Sequence, residues 1–520
     1  MLTHVLFEKR RGWMLIHETL DKAVKQTPDK KAVICAEESC TYAQLHDTMG
    51  LWAKTLLSLG IAKGDRVALF MKNGVDLVGL YYACFRIGAI AVPLNTRFQT
   101  PEAAYGLEQS GSRILITSAE LYPVVENLDS TLSLLEHIYL VDGEPEQPSR
   151  SWKKATANVA ETFGFPEVNG SDPAVIVYTS GSTGKPKGVV HTHDTFCHLI
   201  QNKTKAQEVD PDDSVLIPTQ ISHVAGLVAT LLYLGNGATV VMMQKFEPGR
   251  YILILNQYKP TIVMLLPTQL LEVLEHPDAK DTDFSSVRHV LVGGDKVQRH
   301  VYELFRKKTG KDFMEGYGLT EWEGCLLQPW HGKIKPGSIG KPLPGVQIRL
   351  VDRNGNDVPQ GKTGEILLRG NAVTIGYWNK PEETKKAFEN GWFHTGDLAY
   401  RDEEDYYHFS GRIKELIIRG GSNIMPGEVE DVINEHPSVE LCGVVGFPDR
   451  HYGNIVGAFV VPKQNLPAPT VEALTDFVSE RLSHYKVPQK WIFVDTLPRN
   501  PVGKIDRKQL RDLAERCVST

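Results

Sequence analysis

The chain has 520 residues, about three times a typical domain, so two or more domains are expected. Apolar residues make up 42% and charged residues 23%, which excludes a disordered chain. A formal net charge of -6 excludes a strongly basic coat for nucleic acid, so any phosphate site must be built locally. In chain order, the opening segment carries Glu8, Lys9, Arg10 and Arg11 and lacks the apolar core of a secretory signal. The chain ends on Cys517-Val-Ser-Thr520, not on a peroxisomal tripeptide. Its seven cysteines form no Cys-x-x-Cys pair and read as buried free thiols of a reducing compartment. A cytoplasmic location follows as an expectation. Apolar runs such as 89–94 and 262–266 are too short for a membrane span.

Thr41-Tyr-Ala-Gln44 is a capping box, and Leu45, Met49, Trp52, Leu56 and Leu57 follow it at helical spacing, which makes Trp52 a core residue. Short β-branched runs at 67–71, 89–94, 114–118, 138–142, 174–178, 240–243, 262–266 and 290–293 read as strands between helix-length segments. Continuous apolar strands separated by helices predict parallel sheets covered on both faces. The Glu- and Pro-rich stretch at 143–149 reads as an exposed loop. After about residue 345 the texture changes: runs at 348–352 and 365–369 flank Asp352-Arg-Asn-Gly-Asn356, a turn signal that predicts an antiparallel section. Beyond Gly411 come a strand at 416–419, a helix at 427–435, strands at 442–445 and 456–461, a helix at 471–482, a strand at 491–494 and a helix after Asp506. The expected fold class is α/β, with a large N-terminal domain at 1–411 of parallel-type sheets covered by helices plus an antiparallel subdomain. A small α+β domain at 412–520 follows it.

The strongest local signal is Tyr178-Thr-Ser-Gly-Ser-Thr-Gly-Lys-Pro-Lys-Gly188, directly after an apolar strand. Glycines let backbone N–H groups turn toward an anion, the hydroxyls of Thr179, Ser180, Ser182 and Thr183 donate to phosphate oxygens, and lysine supplies charge. A Ser/Gly linker seldom follows a buried strand and carries two lysines. A Walker A loop requires Ser or Thr after its lysine, whereas Pro186 follows Lys185 here. The chain has no Gly-x-Ser-x-Gly elbow, which disfavours an α/β-hydrolase.

The loop at 179–188 resembles the signature loop of the adenylate-forming superfamily: acyl- and aryl-CoA synthetases, peptide-synthetase adenylation domains and beetle luciferases. Further motifs follow in the family's order: Ile221-Ser-His-Val-Ala-Gly226, Gly293-Gly294-Asp295, Gly316-Tyr-Gly-Leu-Thr-Glu321 and Gly364-Glu-Ile-Leu-Leu-Arg-Gly370. Trp392-Phe-His-Thr-Gly-Asp397, Gly411-Arg-Ile-Lys-Glu-Leu-Ile417 and Pro501-Val-Gly-Lys-Ile-Asp506 complete the series. The similarity extends from about Leu15 to Leu510.

What the resemblance implies can be stated residue by residue. Thr179, Ser180, Gly181, Ser182, Thr183, Gly184 and Lys187 hold the β,γ-phosphates of ATP during adenylation. Glu321 binds magnesium, with Thr179 as second contributor; a hard carboxylate suits a hard cation. Thr320 contacts the α-phosphate, Tyr317 stacks on adenine between Gly316 and Gly318, and Gly294 and Asp295 lie at the adenine edge. Asp397 accepts both ribose hydroxyls with Arg412 as its partner, and His223 stands beside the reacting carboxylate. The C-terminal domain is then a mobile lid that rotates about Lys414. It presents Lys504 to the α-phosphate and acyl carboxylate in the first half-reaction, and Gly420 and Gly421 to CoA in the second. The chain departs from the family at Asp295, where Ala is frequent, at Ala225, where aromatic-acid ligases often carry Tyr, and at Trp322, whose ring would line or block the acyl pocket. His191, His193 and His198 have no recognised zinc spacing and read as surface after the loop.

The function implied is an ATP-dependent carboxylate–CoA ligase, with ATP, Mg2+ and CoA as cofactor and co-substrates and a small carboxylic acid as substrate. It makes acyl-AMP and pyrophosphate, then acyl-CoA and AMP. The alternative inside the family is a stand-alone adenylating enzyme that loads a carrier protein; a luciferase-like oxygenase is the remaining member. From other classes, a phosphate-loop kinase lacks its Walker signature here, and a silent nucleotide-binding module should have lost Lys504, Glu321 or Asp397. Acid chain length, aromatic or aliphatic character and oligomeric state stay open.

Overall fold

A computed structural model describes residues 14–143, 150–157, 159, 164–179, 185–499 and 504–519. Packing divides the chain into two compact units, one of Met1–Gln347 with Arg369–Phe393, the other of Ile348–Leu368 with His394–Thr520. The first unit holds two large sheets among its described residues. In the nine-stranded one, Lys31–Cys35, Thr239–Met242, Ser214–Ile217, Ile262–Leu265, His289–Gly293 and Met314–Leu319 run parallel, and antiparallel strands close both edges. In the eight-stranded one, Arg66–Phe70 lies between Ile90–Pro93 and Ile114–Thr117, all parallel, and Pro173–Thr179 pairs parallel with Ile90–Pro93. All eight strands expected from β-branched runs are present.

Helices bury both sheets, because strands apolar on both faces need cover on both. Leu216, Val263, Val290 and Val292 of the larger sheet pack with Leu255, Leu270, Val273 and Phe305 of its helices. The capping box at Thr41 forms as expected: Thr41 Oγ1 accepts from Gln44 N at 3.2 Å, and Gln44 Oε1 accepts from Thr41 N at 2.9 Å. Trp52 packs edge-on against Trp152 at 6.0 Å, and its ring lies 2.9 Å from where a Cβ on Gly79 would stand. The helices Tyr42–Ser58 and Val75–Ile87 therefore approach as closely as they do because residue 79 is glycine.

The second unit carries the expected antiparallel section, in which Trp392–Arg401 pairs with Tyr407–Arg412. The turn after Gln347–Val351 closes with Asp352 N donating to Asn356 O at 2.8 Å. Its α+β part is a three-stranded sheet of Val439–Asp449, Gly453–Pro462 and Lys490–Phe493. Successive residues point to opposite faces: Val444, Val456 and Val460 pack with Val429 and Leu474 of two helices, while Val445, Phe447 and Phe459 pack with Leu510 and Ala514 of Arg507–Ser519. The strand around Cys442 is longer than its apolar run, because the ladder continues through Pro448 and Asp449 to the turn at Gly453. Six cysteines are buried free thiols as expected; Cys517 is free and exposed. No helix among the described residues is long and apolar enough to cross a membrane.

Candidate active site

The strand Pro173–Thr179 ends on Thr179, whose ladder partner is Lys187, the first residue of the returning strand Lys187–Thr192. Ser180, Gly181, Ser182, Thr183 and Gly184 lie outside the described residues. The exit of the loop is fixed from one side: Tyr105 Oη donates to Pro186 O at 2.9 Å, and Lys185 Nζ sits 5.7 Å from the same ring. Lys187 Nζ lies 4.8 Å over the ring of Tyr377, a cation–π contact.

Tyr377 belongs to the short strand Gly376–Tyr377, antiparallel to Lys187–Thr192, and its phenol reaches Glu321. Tyr377 Oη donates to Glu321 Oε1 at 2.7 Å. Burial first, and the Glu321 charge second, raise the phenol pKa, so the group stays protonated and remains a donor. Thr320 and Glu321 form the tip of a hairpin between Met314–Leu319 and Trp322–Leu327, with Leu319 facing Trp322. Two further donors hold this tip: Thr374 N to Glu321 O at 2.8 Å, and His191 Nε2 to Thr320 O at 2.8 Å. Glu321 is buried at 9% exposure, and Thr320 is half-buried.

The two glycine motifs meet at the C-terminal ends of neighbouring parallel strands, where Gly293 pairs with Gly316. Open α/β sheets bind ligands at such strand ends. Gly318 is dictated by the hairpin: a Cβ there would stand 2.1 Å from Gly324 N. Tyr317 is largely buried, and Asp295 is exposed, with Oδ1 accepting from Lys296 N at 2.9 Å. Directly before the motif, burial pushes the Glu315 carboxyl up to about 8, while Gly337 N donates to its Oε1 at 3.2 Å. His223 precedes the helix Val224–Gly235, and its Nε2 lies 3.4 Å from Asn95 Nδ2. The preceding loop is held by Asn73, which donates to Thr219 O and accepts from Ile221 N, each at 2.8 Å. Trp322 is buried, packed against the backbone at Gly370.

In the second unit, Asp397 and Arg412 face each other across the ladder, with Arg412 Nε donating to Asp397 Oδ1 at 3.0 Å. Glu365 explains the motif upstream: its carboxylate takes His394 Nδ1 at 3.1 Å and Gly396 N at 3.0 Å, which shapes the approach to Asp397. Lys414 lies in the turn Ile413–Glu415, where burial and then the nearby Arg412 charge lower its pKa. Gly420 and Gly421, with φ of 53° and 84°, form the two-residue turn between Ile417–Arg419 and Ser422–Ile424. Both positive φ values belong to the primed hairpin turns that match strand twist. Lys504 is half-buried, next to the bridge between Arg499 and Ile505.

One expectation is overturned. His191 and His193 are fully buried and His198 is half-buried, so they do not form a surface segment. The chain leaves the loop as a strand covered on both faces and runs straight into the helix His193–Gln207, which packs inward. Burial lowers the pKa of both His191 and His193 to about 4, so both rings are neutral. Sequence reasoning also passed over Thr374 and Tyr377: a Gly-Tyr pair has no chemical signature until the fold sets it beside Glu321.

Comparison with known proteins decides the family. The model of the AMP-binding enzyme matches residues 20–378, and that of the AMP-binding enzyme C-terminal domain matches 428–504. The chain belongs to the AMP-binding enzyme family. It is similar to the long-chain-fatty-acid–CoA ligase FadD13 of Mycobacterium tuberculosis, 32% identical over 97% of this chain and 98% of that protein. It is also similar to the fatty acid–[acyl-carrier-protein] ligase ScoC of Streptomyces coeruleorubidus, 33% identical over 95% of both. The crystal structure of the anthranilate CoA ligase AuaEII with anthranoyl-AMP superposes with a TM-score of 0.92, at 27% identity over 98% of each chain. The activity implied by the motif order stands with the AMP-binding family: an AMP-forming carboxylate–CoA ligase of the acyl-CoA synthetase type, working through acyl-AMP.

Proposed function

We propose that the chain activates a fatty or aryl carboxylic acid with ATP and transfers it to free CoA, with the residue roles drawn from its motifs. The observation that carries this reading is the Thr320–Glu321 turn, tied by Tyr377, Thr374 and His191 to the strand that returns from the phosphate loop. Adenylation needs anionic phosphates, a cation and an attacking carboxylate brought together in line. Thr179, Ser180, Gly181, Ser182, Thr183, Gly184 and Lys187 bind the β,γ-phosphates; Thr320 donates to the α-phosphate; His223 stands at the acyl carboxylate. Gly294, Asp295, Gly316, Tyr317 and Gly318 form the adenine side, and Asp397 with Arg412 the ribose side. Magnesium fits the donor set. No cluster of three or more His, Cys, Asp or Glu side chains occurs among the described residues. Glu321 offers one carboxylate and Thr179 one hydroxyl, and magnesium characteristically takes one or two carboxylates and completes its shell with substrate phosphates and water. Bound there, it spreads the charge of the phosphates.

Residues 412–520 act as the lid with its pivot at Lys414; Lys504 serves adenylation, and Gly420 and Gly421 serve the CoA step. Free thiols at every cysteine support a reducing, cytoplasmic setting. The similarity to ScoC favours a second reading, transfer to a carrier protein. A single experiment separates the two: supply ATP and a panel of aliphatic and aryl acids, with free CoA in one arm and a phosphopantetheinylated carrier protein in the other. Acyl-CoA and AMP in equal amounts is the expected result. Thioester on the carrier alone would establish the second reading, and ADP in place of AMP would overturn both.

A further inference from the structure

The Thr320–Glu321 turn has an unusual construction. Two-residue hairpin tips favour Asn or Gly with positive φ, because those turns match the twist of the flanking strands. Neither Thr320 nor Glu321 has a positive φ. Local backbone preference therefore does little to hold the tip, and donors from elsewhere in the chain must do so. Thr374 N and Tyr377 Oη serve Glu321; Thr320 O takes the ring of His191, 129 residues away in sequence. A carbonyl only accepts, so the His191 proton sits on Nε2. Nδ1 faces Thr195 Oγ1 at 3.3 Å, and Phe196 meets the ring edge-on at 5.1 Å, which fixes its orientation. The ring is fully buried, and the strand that carries it starts at Lys187.

We propose that His191 is a positioning residue for adenylation, whose Nε2–H holds the Thr320 carbonyl and so aims the Thr320 hydroxyl at the α-phosphate. The inference rests on the role given to Thr320 above. Its test compares His191→Leu, which removes the donor, with His191→Gln, whose amide nitrogen reaches about as far as Nε2. In pyrophosphate release, H191L should lose about 10- to 100-fold in kcat, the scale of losing a hydrogen bond that orients an active-site group, with KM for ATP within a few-fold of wild type. H191L should also bind an acyl-sulfamoyl adenosine, a mimic of acyl-AMP, about tenfold more weakly by calorimetry. H191Q should recover most of both. Should H191L not fold, His191→Asn, whose amide falls short of the carbonyl, carries the same expectation. Wild-type kcat in the folded donor-less variant overturns the inference, as does a folded H191Q as impaired as H191L, since the ring would then matter only for packing. Thr320→Ala separates the two layers: impaired T320A beside normal H191L overturns this inference alone, whereas normal T320A removes the role of Thr320 and the inference with it.

Discussion

The Thr320–Glu321 turn of the first unit and the Asp397–Arg412 pair of the second both carry groups assigned to the nucleotide, yet they are held in opposite ways. Asp397 and Arg412 are direct partners in an antiparallel ladder, so strand register brings them to their 3.0 Å contact, with local bonds at Thr395 and Gly396 beside it. Thr320 and Glu321 sit at a hairpin tip whose shape depends on three donors from residues far away in sequence. A register-held pair survives the loss of any one side-chain atom nearby; a donor-held tip does not. Single-atom deletions should therefore be felt strongly around Glu321 and weakly around Asp397.

The largest effect should come from the tip itself. Glu321→Ala should lower acyl-AMP formation on the order of a thousand-fold while leaving the protein folded, because the phosphates would lose the carboxylate proposed to hold their cation. Ordinary ATP-dependent turnover by the folded variant at normal magnesium would remove Glu321 from the site. Next is the proposed pivot in the second unit: Lys414→Pro fixes φ at about -65° and should cut CoA transfer about 100-fold while acyl-AMP forms within a few-fold of wild type. Equal losses in both half-reactions would mean that residue 414 is not the pivot.

Smaller effects sharpen the contrast. Tyr377→Phe deletes one oxygen and leaves the ring under Lys187, so adenylation should fall about tenfold, whereas deleting a methyl near Asp397 should change little. An unchanged rate in Tyr377→Phe would show that the tip does not depend on the Tyr377 hydroxyl. The last effect falls on stability and not on rate. Glu315 has its folded pKa raised to about 8 from an ordinary carboxylate value, so between roughly pH 4.5 and 8 the folded chain holds a proton that the unfolded chain has released. Stability from this group is complete below that window and declines as pH rises through it, by at most about 1.4 kcal/mol per pH unit. Glu315→Gln should flatten the fall of melting temperature between pH 5 and 8; parallel curves for both proteins would place the buried charge elsewhere.

The sequence carried most of the scaffold, because apolar runs and turn signals are local. The strands at 114–118 and 262–266, the turn at Asp352 and the small α+β unit were all legible that way. Motif residues such as Thr179, Glu321 and Asp397 were legible through the resemblance of their motifs to the adenylate-forming family; alone, an Asp after Thr-Gly reads as a turn residue. What escaped was what those residues touch. His191 read as surface because nothing in its neighbours announces that the strand after the loop is covered on both faces. Tyr377 gave no signal because its partner is 56 residues distant, a contact that only the ladder with Lys187–Thr192 creates. Gly318 showed the reverse: it reads as a ligand-binding glycine, yet the backbone at Gly324 already requires it.

The central claim is that one chain performs two chemically separate half-reactions, and Lys504 tests it most directly. A lysine ammonium relieves the repulsion between acyl carboxylate and α-phosphate as they approach, and thioester formation from a finished acyl-adenylate has no such repulsion to relieve. Lys504→Ala should therefore reduce pyrophosphate release by about 100- to 1000-fold. The same protein, given synthetic acyl-adenylate and CoA, should make thioester at a near wild-type rate. A parallel fall in both assays would contradict the account, leaving Lys504 as a support for the C-terminal domain and the two half-reactions without separate machinery.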